Sequence, residues 1–331
     1  MRFGIFSVVD HYQAELPRTS AQFYGELLEQ VEAAEALGFD SFWIAEHHFH
    51  EYGGIPSPPV WLAAAAQRTR RIRLGAAVVV LPFRNPLQVA EEYAMVDVLS
   101  NGRLNLGTGS GYLTHEFDGF GVPPEEKRER FDEALDIVLQ AWTGERFSYD
   151  GRYHKVRDVA LNVQPLQRPR PPVWIAVLRN EAAAHVGKKG FPVMMIPYAT
   201  TENIAELANT VTAFRDAFVD AGGDPKDATV PFGLHAYVSD SFERATAEAR
   251  EAMDRYVRTR LYAKQRPYEL LVQKNLIAFG SPEDVVRVAR VYAQAGLTDF
   301  LAITNFGGLE HAKVLRSMEL MSRHVLPAFP R

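Results

Sequence analysis

Short runs of Val, Ile, Leu and Ala alternate along the chain with longer stretches in which apolar residues recur every three or four positions. The short runs predict buried parallel strands and the longer stretches predict amphipathic helices, an alternation typical of repeated β-α units around a parallel sheet. Eight strands are predicted, over residues 2–8, 41–45, 72–80, 104–108, 172–177, 193–196, 230–238 and 299–303.

The segment between the first two predicted strands shows the helical pattern most clearly. Its apolar residues from Phe23 to Leu37 lie on one helical face, and Gly38 follows as a C-terminal cap. A helix is therefore predicted over residues 21–37. The same pattern predicts helices over residues 59–68, 87–99, 124–142, 181–189, 201–221, 241–260, 281–295 and 311–326.

Two insertions interrupt this alternation of strands and helices. Residues 146–167 contain an Asp150-Gly151 turn between aromatic flanks, which predicts a β-hairpin. Residues 261–279 form the second insertion, because two helices fall between the last two strands. An open doubly wound sheet would also accommodate eight strands. The even spacing without a linker favours a closed (β/α)8 TIM barrel with insertions, as one domain over residues 1–331.

Composition narrows the function classes. The chain has 331 residues, 47% of them hydrophobic, enough for a large core. Its 36 basic and 41 acidic side chains give 36 − 41 = −5, which predicts no attraction to nucleic acid or anionic membranes. No cysteine is present, so thiolate and sulfur-ligated metal chemistry are excluded. Neither a signal peptide nor a spanning segment is visible, so a cytoplasmic enzyme with a small-molecule substrate is expected.

A histidine cluster follows the second predicted strand, where a barrel of this kind builds its active site. Neighbouring residues of an extended chain face opposite sides, so His47 is expected to point into the barrel mouth and His48 away from it. His47 suits a general acid or base, or a structural hydrogen bond. The spacing of His48 and His50 also allows a metal site completed by His235, although this set of ligands is incomplete.

Two further clusters follow the third and fourth strands. Residues 74–82 carry small side chains that would let a flat ring approach the backbone, although such a run is also typical of a buried strand. Residues 105–112 combine glycines with Thr108 and Ser110, a pattern suited to holding a phosphate, with Arg128 and Arg179 as candidate cations. The spacing differs from a dinucleotide fingerprint, and no helix is expected immediately after the loop.

Together these segments resemble the bacterial luciferase-like flavin monooxygenases. The resemblance lies in residues 44–49 around His47, in residues 75–82 and in residues 102–107, and it extends to residues 190–192 and 317–327. It covers nearly the whole chain.

The resemblance implies a barrel that binds FMN at its mouth, already reduced by a separate reductase. Molecular oxygen would then form a flavin 4a-hydroperoxide, which transfers one oxygen atom to a small organic substrate. His47 would be catalytic, and Ala77-Val78 would form a cis peptide against the flavin ring. The residues implied to line the flavin or its phosphate are Gly109, Ser110, Arg128, Leu178 and Arg179, with Arg179 replacing the phosphate-binding Arg that luciferase has at the position of Ser110. The resemblance also implies a mobile lid over residues 261–279 and a homodimer through the early helices.

The expected substrate is small and apolar, held by an aromatic pocket. Its predicted lining is Phe6, Val8, Trp43, Phe49 and Tyr112, together with Phe117 and Phe120. Three alternatives stay open: a deazaflavin-dependent dehydrogenase of the same superfamily, a metal-dependent barrel hydrolase, and a flavin-binding barrel without turnover.

Overall fold

The computed structural model describes residues 1–51, 53–260 and 265–330, and its centre is a closed barrel of eight parallel strands. In order around the barrel these are β1 (Arg2–Ser7), β2 (Ser41–Ile44), β3 (Arg73–Val80), β4 (Leu104–Gly109), β7 (Val173–Val177), β8 (Val193–Met195), β9 (Pro231–Val238) and β11 (Asp299–Ile303). Pairing of β8 with β9 and of β11 with β1 closes the ring. The predicted (β/α)8 barrel is confirmed.

These strands are buried on both faces, which explains their nearly continuous apolar sequences. On the outer face, Phe232 of β9 stacks on Tyr292 of a surrounding helix, with 4.7 Å between ring centroids. On the inner face, Trp43 of β2 meets Trp174 of β7 at 5.5 Å. The barrel interior is therefore packed with side chains, and the loops at its C-terminal end are left to form a site.

The helices alternate with the strands as predicted. They are α1 (Ser20–Ala36), α2 (Pro58–Arg68), α3 (Pro86–Leu99), α4 (Thr114–Phe120), α5 (Lys127–Ala141), α6 (Asn180–Lys188), α7 (Pro197–Thr200), α8 (Ile204–Asp220), α9 (Phe242–Thr259), α10 (Tyr268–Gln273), α11 (Pro282–Gln294) and α12 (His311–Leu320). Thr19 forms a capping box at the start of α1, and Ser281 does so at α11. Helix α4 corrects one expectation, because it begins soon after the glycine-rich loop.

Both insertions contain additional structure. The predicted hairpin is confirmed as antiparallel β5 (Phe147–Asp150) and β6 (Lys155–Val159). Within residues 261–279, α10 is followed by β10 (Ala278–Gly280), which pairs with β9 outside the barrel. The proposed lid falls partly on residues 261–264, which lie outside the described residues. Among the described helices, none is both long and apolar enough to cross a membrane.

Candidate functional site

His47 and Glu116 form a buried pair beyond the C-terminal end of β2. Glu116 Oε1 lies 3.2 Å from His47 Nδ1 and accepts a hydrogen bond from the backbone N–H of His48 at 2.9 Å. Both side chains are more than nine-tenths buried. One carboxylate oxygen therefore fixes the imidazole and the backbone that carries it.

The pair also determines which nitrogen of His47 holds the proton. A carboxylate oxygen accepts a hydrogen bond, so Nδ1 of His47 donates and Nε2 carries the lone pair when the ring is neutral. Burial lowers the pKa of His47, and its hydrogen bond to Glu116 opposes this shift only in part. A neutral imidazole with a basic Nε2 is suited to accept a proton.

His48 faces the other side of the chain, as the alternation predicts. Its Nε2 lies 3.2 Å from Glu46 Oε1, and its ring packs edge-on against Phe120 with centroids 4.7 Å apart. Burial raises the pKa of Glu46, although the bond to His48 and the charge of Arg84 oppose this. Glu46, His48 and Phe120 line a surface cavity of about 240 Å³, separate from the His47–Glu116 pair.

Phe49 belongs to this outer cluster. Its side chain is 64% exposed, and its ring contacts Phe120 at 5.2 Å. The structure therefore places Phe49 in the outer cluster, and its place in the substrate pocket stays a prediction. Phe120 lies in the same cluster, and Phe117 joins it through Phe83 at 4.8 Å.

The Ala77–Val78 peptide bond is cis, as the family resemblance implied. It lies at an irregularity in the pairing of β3 with β4, where both side chains are partly exposed. Gly109 is needed next to it, because a β-carbon at that position would lie 2.7 Å from Val78 Cγ2. The space beside Gly75 is different, since the Trp43 indole fills it. On this strand, Ala77 and Val78 are therefore better placed than Gly75 to meet a flat ring.

Three cations gather beside the glycine-rich loop. Lys127 Nζ lies 3.5 Å from the carbonyl oxygen of Gly111, and burial together with the charges of Arg179 and Arg128 lowers its pKa. Within the described ranges, no carboxylate forms an ion pair with any of the three. Ser110 and Leu178 are partly buried, whereas Arg128 and Arg179 are exposed. Concentrated positive charge without an acidic partner fits a phosphate group.

The remaining predicted pocket residues divide between the core and the site. Tyr112 is partly buried, and its ring lies edge-on to His47 at 6.1 Å. Trp43 packs against Gly75 and Phe6 lies beside Gly233, so both fill the barrel interior. Val8 is buried beyond the end of β1. Phe6 and Trp43 are therefore buried in the barrel interior, and their contact with a substrate stays a prediction.

The histidines of the alternative metal site lie in different surroundings. The ring of His48 contacts Phe120, that of His50 contacts His115, and that of His235 contacts Tyr256. Across residues 1–51, 53–260 and 265–330, no group of three metal-ligating side chains is positioned to hold an ion. The geometry therefore gives the hydrolase alternative no support.

Sequence reasoning missed Glu116 and Lys127. Glu116 lies in the short helix α4, where Thr114, His115 and Asp118 are also polar, so the sequence carries no clear signal that Glu116 is buried. Lys127 resembles an ordinary member of the charged run at residues 125–130. Only its position next to Arg179, 52 residues later in the chain, distinguishes it.

Comparisons with known proteins show a family and several relatives for this chain. A family model described as luciferase-like monooxygenase matches residues 1–299. An uncharacterised protein y4vJ of Sinorhizobium fredii is 32% identical, with 94% of this chain and 93% of that protein covered. The oxygenase component of a flavin-dependent trigonelline monooxygenase from Acinetobacter baylyi is 26% identical, with 99% and 96% covered.

A solved structure and a second type of relative complete the comparison. The crystal structure of monooxygenase RslO1 from Streptomyces bottropensis matches with a TM-score of 0.92 and 30% identity, covering 100% of both chains. An F420-dependent glucose-6-phosphate dehydrogenase of Amycolatopsis mediterranei is 34% identical, with 52% of this chain and 54% of that protein covered. The relatives therefore include both flavin-dependent monooxygenases and F420-dependent dehydrogenases.

Proposed function

The chain belongs to the luciferase-like monooxygenase family, and on this premise we propose that it is an FMN-dependent monooxygenase that oxygenates a small organic substrate. Reduced FMN, when bound, supplies the electrons that activate molecular oxygen. The protein supplies a phosphate anchor, a surface for the flavin ring and a proton-transfer group at the barrel mouth.

The single observation that carries this proposal is the group of cations formed by Lys127, Arg128 and Arg179. Three positive charges that repel one another, next to the loop that follows β4, favour a bound anion. The partly exposed Ala77 and Val78 lie on the neighbouring strand β3. An FMN phosphate among these cations would leave the ring system within the same mouth.

His47 is the proposed catalytic residue. Glu116 holds Nδ1, so Nε2 can take or return a proton at the reacting end of the site. Because burial keeps the ring neutral, His47 acts as a base near neutral pH. Tyr112 lies beside it and helps to keep water from the site.

The expected partners are a separate flavin reductase and a second copy of this chain. The relative from Acinetobacter baylyi is itself an oxygenase component, which supports a two-component system. Helices α2 and α3 display exposed apolar side chains, Val60, Met95, Val98 and Leu99. Exposed apolar side chains on two consecutive helices support a homodimer through this face.

F420 is the second candidate cofactor, because an F420-dependent relative shares 34% identity over 182 residues. The test is an anaerobic titration with reduced FMN and with reduced F420, followed by exposure to oxygen. The proposal predicts tighter binding of reduced FMN and oxygen uptake from its complex. Preferential binding of F420 with hydride transfer and no oxygen uptake would overturn it.

A matched pair of variants connects this test to the cations. Arg179→Ala is expected to weaken FMN binding by about 10- to 100-fold, as for the loss of one charge-assisted hydrogen bond. Arg130→Ala is the control, since Arg130 lies on α5 with Lys127 and Arg128 but is paired with Glu126 at 2.7 Å. Equal FMN affinity in the two variants would remove the phosphate assignment.

A further inference from the structure

His235 is a buried histidine that the proposed reaction does not yet use. It lies in β9 with no exposed surface, and within the described residues neither ring nitrogen has a hydrogen-bond partner. A neutral imidazole carries one donor and one acceptor, and each destabilises the fold when it is buried without a partner. Such groups are uncommon in native proteins and often mark a site where a ligand binds.

The side chain of His235 faces the barrel interior near its mouth. A β-carbon on Gly233, two residues earlier, would lie 2.8 Å from Ile196 Cδ1 and 3.1 Å from Phe6 Cδ1, so Gly233 points inward. Residues two apart on a strand share a face, so His235 also points inward. It pairs in register with Ile303, the last residue of β11, which places it at the C-terminal end of the barrel.

Aromatic rings from the mouth cover His235. The centroid distances are 4.2 Å to Tyr256 on α9, 5.4 Å to Phe306 after β11 and 5.6 Å to Tyr198 on α7. These residues belong to the elements that follow the strands rather than to the barrel wall. The cover therefore consists of the elements that surround a substrate in this type of barrel.

The chemistry of this position favours an oxygen atom as the ligand. Burial and the charge of Arg260 hold the pKa of His235 well below its usual value, so the imidazole is neutral. The nearby positive charge favours a partner with negative character, and the N–H of the ring can donate to it. Thr304 Oγ1, in the residue that follows β11, is also buried without a partner among the described residues.

We propose that His235 binds a carbonyl or phenolic oxygen of the substrate and that the substrate is a ring compound carrying such an oxygen. The ring of the substrate is inferred from the aromatic side chains that surround His235, and its oxygen atom is inferred from the unpartnered imidazole. This inference rests on the proposed function, because it places the substrate in the mouth assigned to FMN. It replaces the expectation of a purely apolar substrate.

The first test compares stability. His235→Leu and His235→Met remove the unpartnered polar atoms, so each is expected to raise the melting temperature by about 2–4 °C. His11→Leu is the matched control, because His11 is buried with its Nε2 at 2.7 Å from Arg18 O and its Nδ1 at 3.2 Å from Gln13 Nε2. That control is expected to lower the melting temperature. A loss of stability in both His235 variants would overturn the proposal and assign His235 a structural role.

The second test measures ligand discrimination with matched probes, 4-ethylphenol against ethylbenzene and 4-ethylcyclohexanone against ethylcyclohexane. The wild-type chain should bind each oxygen-bearing probe with a Kd about 5–10-fold lower than its hydrocarbon counterpart, and the His235→Leu variant should bind both equally. Absence of discrimination in the wild type, or its persistence in the variant, would overturn the proposal.

Titration of the same samples with reduced FMN separates the two claims. If FMN binds and the probes are not discriminated, only the role of His235 is rejected. If the probes are discriminated in a manner that depends on His235 but FMN does not bind, the oxygen-binding site stands and the proposed cofactor is rejected.

Discussion

At the scale of single residues, the site depends on a carboxylate that the sequence does not mark as catalytic. Glu116 fixes the ring of His47 and the backbone of His48 with one oxygen. The alternation of side chains along an extended segment predicted that His47 and His48 would face opposite sides. It could not predict Glu116, because that contact joins residues 69 positions apart.

Replacing Glu116 by Gln tests this arrangement. The carboxylate raises the pKa of His47 against the effect of burial, so its removal should lower that pKa further. The acidic limb of the kcat/KM profile should then move to lower pH, with kcat reduced about 10- to 100-fold because the ring is less well oriented. An unchanged pH profile would show that Glu116 does not act through His47.

At the scale of elements, the barrel strands, the hairpin and the long helices followed from the sequence pattern, whereas four short elements did not. Helices α4, α7 and α10 and strand β10 have seven residues or fewer, too short for a distinct hydrophobic period. The residues of the predicted pocket lie in different surroundings for a related reason. Phe6, Trp43 and Phe49 are all aromatic residues near the ends of early strands. Tertiary packing alone determines whether such a residue lies in the core, at the barrel mouth or on the outer surface.

The contact between β3 and β4 can be tested at Gly109. A β-carbon there would lie 2.7 Å from Val78 Cγ2, so Gly109→Ala should displace Val78 and destabilise the fold by about 1–3 kcal/mol while weakening FMN binding. Gly25→Ala is the control, because no atom lies within 4 Å of a β-carbon built at that helical position. Denaturant unfolding and FMN titration should show a loss in the first variant only.

At the scale of the whole molecule, buried neutral histidines tie stability to pH. The pKa values of His11, His47, His50 and His235 are all lowered, with burial as the main cause. Below pH 6.5 the unfolded chain binds protons that the folded chain does not, so these groups destabilise the fold as the pH falls. Asp10 and Glu46 act in the opposite direction, because burial raises their pKa values.

The contribution of His235 to the pH dependence of stability can be isolated by comparing the wild type with His235→Leu. Each histidine whose pKa is strongly lowered reduces the free energy of unfolding by about 1.4 kcal/mol for every pH unit below 6.5. Between pH 7.5 and 5.5, the free energy of unfolding should therefore fall by about 1 kcal/mol less in the variant, as measured by urea denaturation. Parallel pH dependence in the two proteins would contradict a neutral His235.

The proposed homodimer is also tested on the whole molecule. Val60→Asp combined with Met95→Asp places charge in the exposed apolar face of α2 and α3, which should convert the dimer to a monomer in sedimentation. Val219→Asp alters a similarly exposed apolar residue on α8, a different helix, and should leave the dimer intact. A wild-type chain that sediments as a monomer would reject the interface.

The most direct measurement of the central claim is a crystal structure of the chain with reduced FMN bound. We expect the phosphate among Lys127, Arg128 and Arg179, the ring system against Ala77–Val78, and Nε2 of His47 facing the reacting edge of the ring. FMN bound elsewhere on the chain, or a mouth that stays empty at saturating FMN, would contradict it.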